Sequence, residues 1–144
     1  MIKTFRNKVD TGTIETIRLS TNQGLIGYRI VKLQTLTQNP FTVTSDLVCK
    51  VYTIKPDAAT ATVDLDDPTL IGVALWSSNT SSSDDQLEHM HIILDHVVVN
   101  QDIFITIKQA TGADPANYYL ELEQVKLDLS EATVATLKDM RGTE

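Results

Sequence analysis

No lysine or arginine stands between Pro56 and Ile107, a stretch that carries nine carboxylates. Phosphate backbones are held by Lys and Arg that displace counterions, so a cation-free middle argues against nucleic acid as a partner. Long apolar runs are also missing: nothing approaches the roughly 20 residues that span a bilayer, and no membrane partner is expected. The opening MIKTFRNKVDTGT has cations but no apolar stretch after them, which is not the pattern of a secretory signal. Cys49 is the single cysteine, which excludes an internal disulfide and fits a reducing compartment. There is no P-loop, no G-x-G-x-x-G and no G-x-S-x-G elbow, and no serine is placed near a histidine on rigid structure. The reading is therefore not an enzyme: no catalytic residue and no cofactor is assigned.

What is present is a rhythm of short alternating runs parted by Gly, Pro, Asn, Asp and Ser. This predicts an all-β domain, a jelly-roll-like or Greek-key β-sandwich with one short C-terminal helix. Strands are expected at Thr13–Ser20, Leu25–Leu36, Asp46–Ile54, Thr69–Ser77, Leu87–Val99 (one kinked strand or two short ones), from Ile103 and at Tyr118–Leu129. In DLVCKVYTI, Leu47, Cys49 and Val51 share one face, and Cys49 reads as a small buried hydrophobe. Ile103, Ile105 and Ile107 face the core in the same way. Gly24 is free to take a positive φ in its turn, and Gly27 marks a bulge or a close backbone approach. Leu120 and Leu122 are out of phase with Val125 and Leu127, which places a bulge near Glu123–Gln124. SNTSSSDDQ, at Ser78–Gln86, is of low complexity and expected to be an exposed loop.

Residues 1–12 lack any period and read as an extended N-terminal arm, with residues 13–144 as a single sandwich domain. Its helix is expected over 130–140, with Ser130 as N-cap, Leu129 and Val134 at staple spacing, and Gly142 ending it. Ala132, Val134, Ala135 and Leu137 form a thin apolar stripe that can dock on the domain itself, the preferred reading, or on another subunit. Ile2, Lys3, Phe5, Arg6 and Lys8 on the arm are candidate interface residues. Charge supports this: residues 1–55 hold eight Lys/Arg against three Asp/Glu, opposite in sign to the middle third. Such ends can meet across neighbouring copies.

Three histidines, His89, His91 and His96, lie within eight residues. On a strand, His89 and His91 point to one side, as two metal ligands would. The default is a polar ladder facing solvent, so no metal is assigned. Asp64, Asp66 and Asp67 in VDLDDP lack the Gly and Glu of an EF-hand, which leaves only a calcium site between loops as an alternative.

The segments TIETIRLSTNQGLIGYRIVKLQ and NQDIFITIKQATGADPANYYLELEQVKLDLSEATVATLKDMR resemble a small virion protein of marine short-tailed bacteriophages. The IETIRLS opening and the YYLELEQVKLDL strand with its helix carry most of the likeness. The resemblance implies a non-enzymatic structural protein located in the virion and assembled in the host cytoplasm. A small acidic sandwich with a basic arm then reads as a capsid cement or decoration subunit. Its partners would be the major capsid protein and copies of itself, as trimers. The alternatives are a tail or adaptor component of the particle, and a carbohydrate-binding host-attachment module using Trp76 or Tyr118.

Overall fold

The computed structural model describes residues 1–21, 24–40, 44–79, 86–94 and 97–140. The low-complexity loop, His96 and Gly142 fall outside these, apart from the loop's ends. Eight strands run in order: β1 (Ile2–Val9), β2 (Thr13–Ile17), β3 (Ile26–Thr37), β4 (Ser45–Tyr52), β5 (Leu70–Asn79), β6 (Gln86–Ile93), β7 (Ile103–Thr111) and β8 (Ala116–Lys126). One helix, α1 (Leu129–Met140), follows them. No helix is long and apolar enough to cross a membrane among these residues.

Two antiparallel sheets form, ordered β1-β8-β3 and β2-β7-β4-β5-β6. First pairs with last, second with seventh, and fourth with fifth. This nesting results when one long antiparallel hairpin is rolled on itself, the jelly roll. A symmetric roll would also pair β3 with β6. Here β6 joins β5 instead, and among the described residues no ladder closes the side where β3 and β6 meet.

Alternation supplies the core. Leu47, Cys49 and Val51 of β4 lie inward, and register sets Cys49 against Ile107 and Val51 against Ile105. Leu33, Leu120 and Leu122 close on them from the smaller sheet. Each such side chain, fully buried, contributes about 1.5–3 kcal/mol. The outer face of the larger sheet is also partly covered, since Lys50 and Thr106 are buried on it. The segment between β4 and β5 lies there: Lys50 Nζ donates to Thr60 Oγ1 at 2.8 Å and to the Thr62 carbonyl at 2.6 Å. That cover is why TLIGVALWS reads as a continuous apolar run.

Gly24 has φ +65°, as its turn requires. At Gly27 a Cβ would stand 2.7 Å from Val98 Cγ1, so the close approach is real. The approaching segment also bridges to the sheet, with Tyr28 N donating to Val99 O at 2.7 Å and Val99 N to Tyr28 O at 2.8 Å. Leu87–Val99 thus divides into β6 and a separate bridge.

Three expectations need correction. Residues 1–12 are not a free arm: β1 pairs along its whole length with β8, from Ile2↔Glu123 to Val9↔Ala116. Its missing signal is physical, because an edge strand buries only Phe5 and Val9, too few for a visible period. The bulge lies on β3, between Ile30 and Lys32, while β8 runs unbroken. Val125 and Leu127 leave the core phase because they line a groove beside α1. Finally, Asp128 caps α1 in place of Ser130. Glu131 N donates to Asp128 Oδ1 at 2.7 Å, and Asp128 N donates back to Glu131 Oε2 at 3.2 Å. This reciprocal box satisfies two donors, which Ser130, two residues further on in the first turn, does not. Ala132 and Ala135 are buried on the domain as expected, whereas Leu129, Val134 and Leu137 face solvent.

Candidate interaction surfaces

Strand β1 splits the five candidate interface residues between two faces. Phe5 packs on the core, and Lys3, of the same parity but exposed, sets its Nζ 5.4 Å from the Tyr28 ring centre. Ile2, Arg6 and Lys8 take the opposite parity and are exposed on the outer face of the smaller sheet. The rows across that face read Ile2, Glu123, Arg29; then Thr4, Glu121, Lys32; then Arg6, Tyr119, Gln34. Arg29 Nη2 pairs with Glu123 Oε2 at 2.6 Å, and Tyr119 donates to Glu121 Oε1 at 2.7 Å. The hydrogen bond to Glu121, with lesser help from burial, raises the Tyr119 pKa. Lys32 sits 5.9 Å from the Tyr119 ring. Both carboxylates on this face are thus engaged, and Arg6 and Lys8 have no salt bridge among the described residues.

The edge of β1 is open as well. Gln124 N donates to Met1 O at 2.9 Å, which sets odd residues of β1 toward β8. By the alternation of an antiparallel ladder, Ile2, Thr4, Arg6 and Lys8 turn their N–H and C=O groups outward. Cations on an edge discourage indiscriminate strand pairing while leaving the face able to meet an acidic surface.

A second surface surrounds the edge strand β6 of the larger sheet. His89 lies across from Trp76, and His91 across from Ala74. Both imidazoles are exposed and line a gap of about 210 Å³ between β3 and β6, beside Leu33 and Thr35. Trp76 is half-buried there, its Nε1 without a partner among the described residues. On the opposite face of β6, Met90 and Ile92 are exposed next to Leu75.

The third is a groove of about 1050 Å³ between α1, Leu65–Pro68 and the end of β8. Its wall is apolar, from Val97, Val125, Leu127 and Val134, and Asp66, Asp67 and Glu131 stand at its edge. Asp139 at the inner end has its pKa raised by burial, opposed by hydrogen bonds from the Asn100 and Gln101 backbone.

The aspartates of VDLDDP hold the chain in a turn. Asp67 Oδ1 accepts from Thr69 N at 2.8 Å and Thr69 Oγ1 at 2.7 Å, and Asp67 N donates to the Asp64 carbonyl at 3.0 Å. Among the described residues no three His, Cys, Asp or Glu side chains are gathered as a metal would need. Cys49 is fully buried, and burial pushes its thiol up to about 12, so it is no nucleophile. Tyr118, a candidate glycan platform by sequence, is in the core; burial, then Glu15 beside it, raises its pKa. The pair Tyr118–Tyr119 reads from the sequence as divided between core and interface, and the outward member is Tyr119, opposite in parity to the buried Leu120 and Leu122.

Compared with protein-family models, curated proteins and solved structures, the chain matches none.

Proposed function

We propose that this chain is a non-enzymatic virion structural protein, a cement or decoration subunit that lies against the shell of a tailed phage. The observation that carries the reading is the outer face of the smaller sheet. There Arg6 and Lys8 have no salt bridge among the described residues and stand beside an open strand edge, while the neighbouring carboxylates are bound to Arg29 and Tyr119. A flat, cation-bearing sheet face fits an acidic furrow of a major capsid protein. Contacts of modest strength suffice, because many copies on one lattice act together. The jelly roll is compatible with this role, although lectins and other binding proteins share it and the fold alone does not decide function. The resemblance to a marine short-tailed phage virion protein points the same way.

The test is loading onto purified empty shells. The wild-type chain is expected to bind at hundreds of copies per particle, and R6E/K8E to lose most of that occupancy while remaining folded. Six or twelve copies would assign the chain to the tail. Undiminished loading of the double variant would remove the basic face from the account.

A further inference from the structure

We propose that β6 is a homodimer edge, and that a two-fold pairing of β6 with the β6 of a second copy gathers His89 and His91 of both chains into a zinc site. The inference stands apart from the capsid reading and does not depend on it. Leu94 N donates to Ile71 O at 3.0 Å, which sets even residues of β6 toward β5. Leu87, His89, His91 and Ile93 therefore turn their backbone N–H and C=O groups to the open edge. This eight-residue edge, QLEHMHII, has no Lys, Arg or Pro, the residues that normally guard an edge and that β1 carries as Lys3, Arg6 and Lys8. It also exposes Met90 and Ile92.

Symmetry narrows the partner. A two-fold axis perpendicular to the sheet pairs residues of equal parity, so the histidine face of one copy meets the histidine face of the other. In the register that sets Met90 on the axis, His89 of each chain lies opposite His91 of its partner. The Cα atoms of such a hydrogen-bonded pair are about 5.5 Å apart. Four imidazoles then border one point, a donor set that suits a tetrahedral Zn²⁺. Among the described residues one chain brings only these two ligands together, and no group of three His, Cys, Asp or Glu is gathered within it. An edge of eight residues is smaller than the usual stable interface, so the ion is what makes the pairing persist.

The test is sedimentation of the full chain with zinc and with a chelator, together with bound zinc per chain. The expected result is a monomer in chelator and a dimer in zinc, with one ion per two chains. At zinc 100-fold above the dissociation constant of the assembled site, dimerisation strengthens about 100-fold. His89→Ala and His91→Ala should each abolish the response, whereas His96→Ala should retain it. Met90→Cys should form a disulfide across the axis, since facing Cα atoms at a non-hydrogen-bonded pair are about 4.5 Å apart. A mass unchanged by zinc, one ion bound per chain, or a zinc dimer in which Met90→Cys never cross-links would overturn the proposal.

Discussion

The backbone N–H of Asn100 donates to Asp139 Oδ2 at 3.0 Å, so the last turn of α1 is fastened by a carboxylate instead of by leucines. The Asn100 side chain completes the fastening. Its Nδ2 reaches the Gly24 carbonyl at 3.0 Å, the Ala132 carbonyl at 3.1 Å and Thr136 Oγ1 at 2.7 Å. One buried amide thus joins a turn before β3, the segment after β6 and the helix.

Asp139 makes stability depend on pH in a defined direction. Burial raises its pKa in the folded chain above the ordinary 3.8, so the folded state holds the proton more tightly than the unfolded state. Its contribution is most favourable below the unfolded value and is lost as pH rises through the raised one. Asp139→Asn removes this dependence. Urea midpoints measured across the acidic range should show wild type losing ground to the variant as pH increases.

Asp102 acts with the opposite sign. Burial pushes its pKa up, but hydrogen bonds from Ser20 and Leu19, and the nearby Arg18, together bring it below 3.8. Its stabilisation is present above the unfolded value and lost as pH falls through the lower folded value. Asp102→Ala leaves Leu19 N and Ser20 N without the acceptor they now share at 2.8 and 3.0 Å. A loss of roughly 1–3 kcal/mol at neutral pH is expected, with a shallower acid limb in the pH–stability curve.

Gly27→Ala should cost about 1–3 kcal/mol, the range for overpacking a filled site. The added methyl meets Val98 Cγ1 at 2.7 Å and Leu127 Cδ1 at 3.1 Å. Thermal unfolding of Gly27→Ala and of Gly27→Ala/Val98→Ala checks the cause. The double variant should recover part of what its two separate losses would sum to.

Cys49 should resist thiol reagents in the native chain and react fully once unfolded, because its thiol is buried and held protonated. Following the reaction with urea gives the unfolding curve itself. Rapid labelling of the native chain would contradict the placement of Cys49 between Leu47 and Val51 in the core.

Strands with one buried face were legible in the sequence. Leu47, Cys49 and Val51, or Ile103, Ile105 and Ile107, alternate cleanly, and their inward face follows from parity alone. β1 was not legible, since its partner β8 lies at the other end of the chain and Phe5 and Val9 are its main anchors. The Asp128–Glu131 box was visible as D-x-x-E, yet Ser130 drew the boundary by its own capping preference. Of the candidate surface residues, parity could separate Ile2, Arg6 and Lys8 from Lys3 and Phe5 only once the segment was known to be a strand. The shared side of His89 and His91 was readable. Their position on an open edge was not, because whether β6 joins β5 or β3 depends on packing between distant segments.

The pairing of β1 with β8 also sets an order of events during synthesis. Within this domain β1 has no sheet neighbour until β8 has been made, so the smaller sheet is assembled only once the last strand has emerged. Contacts this far apart in the chain make for slow folding, and β1 stays unmated and basic until then.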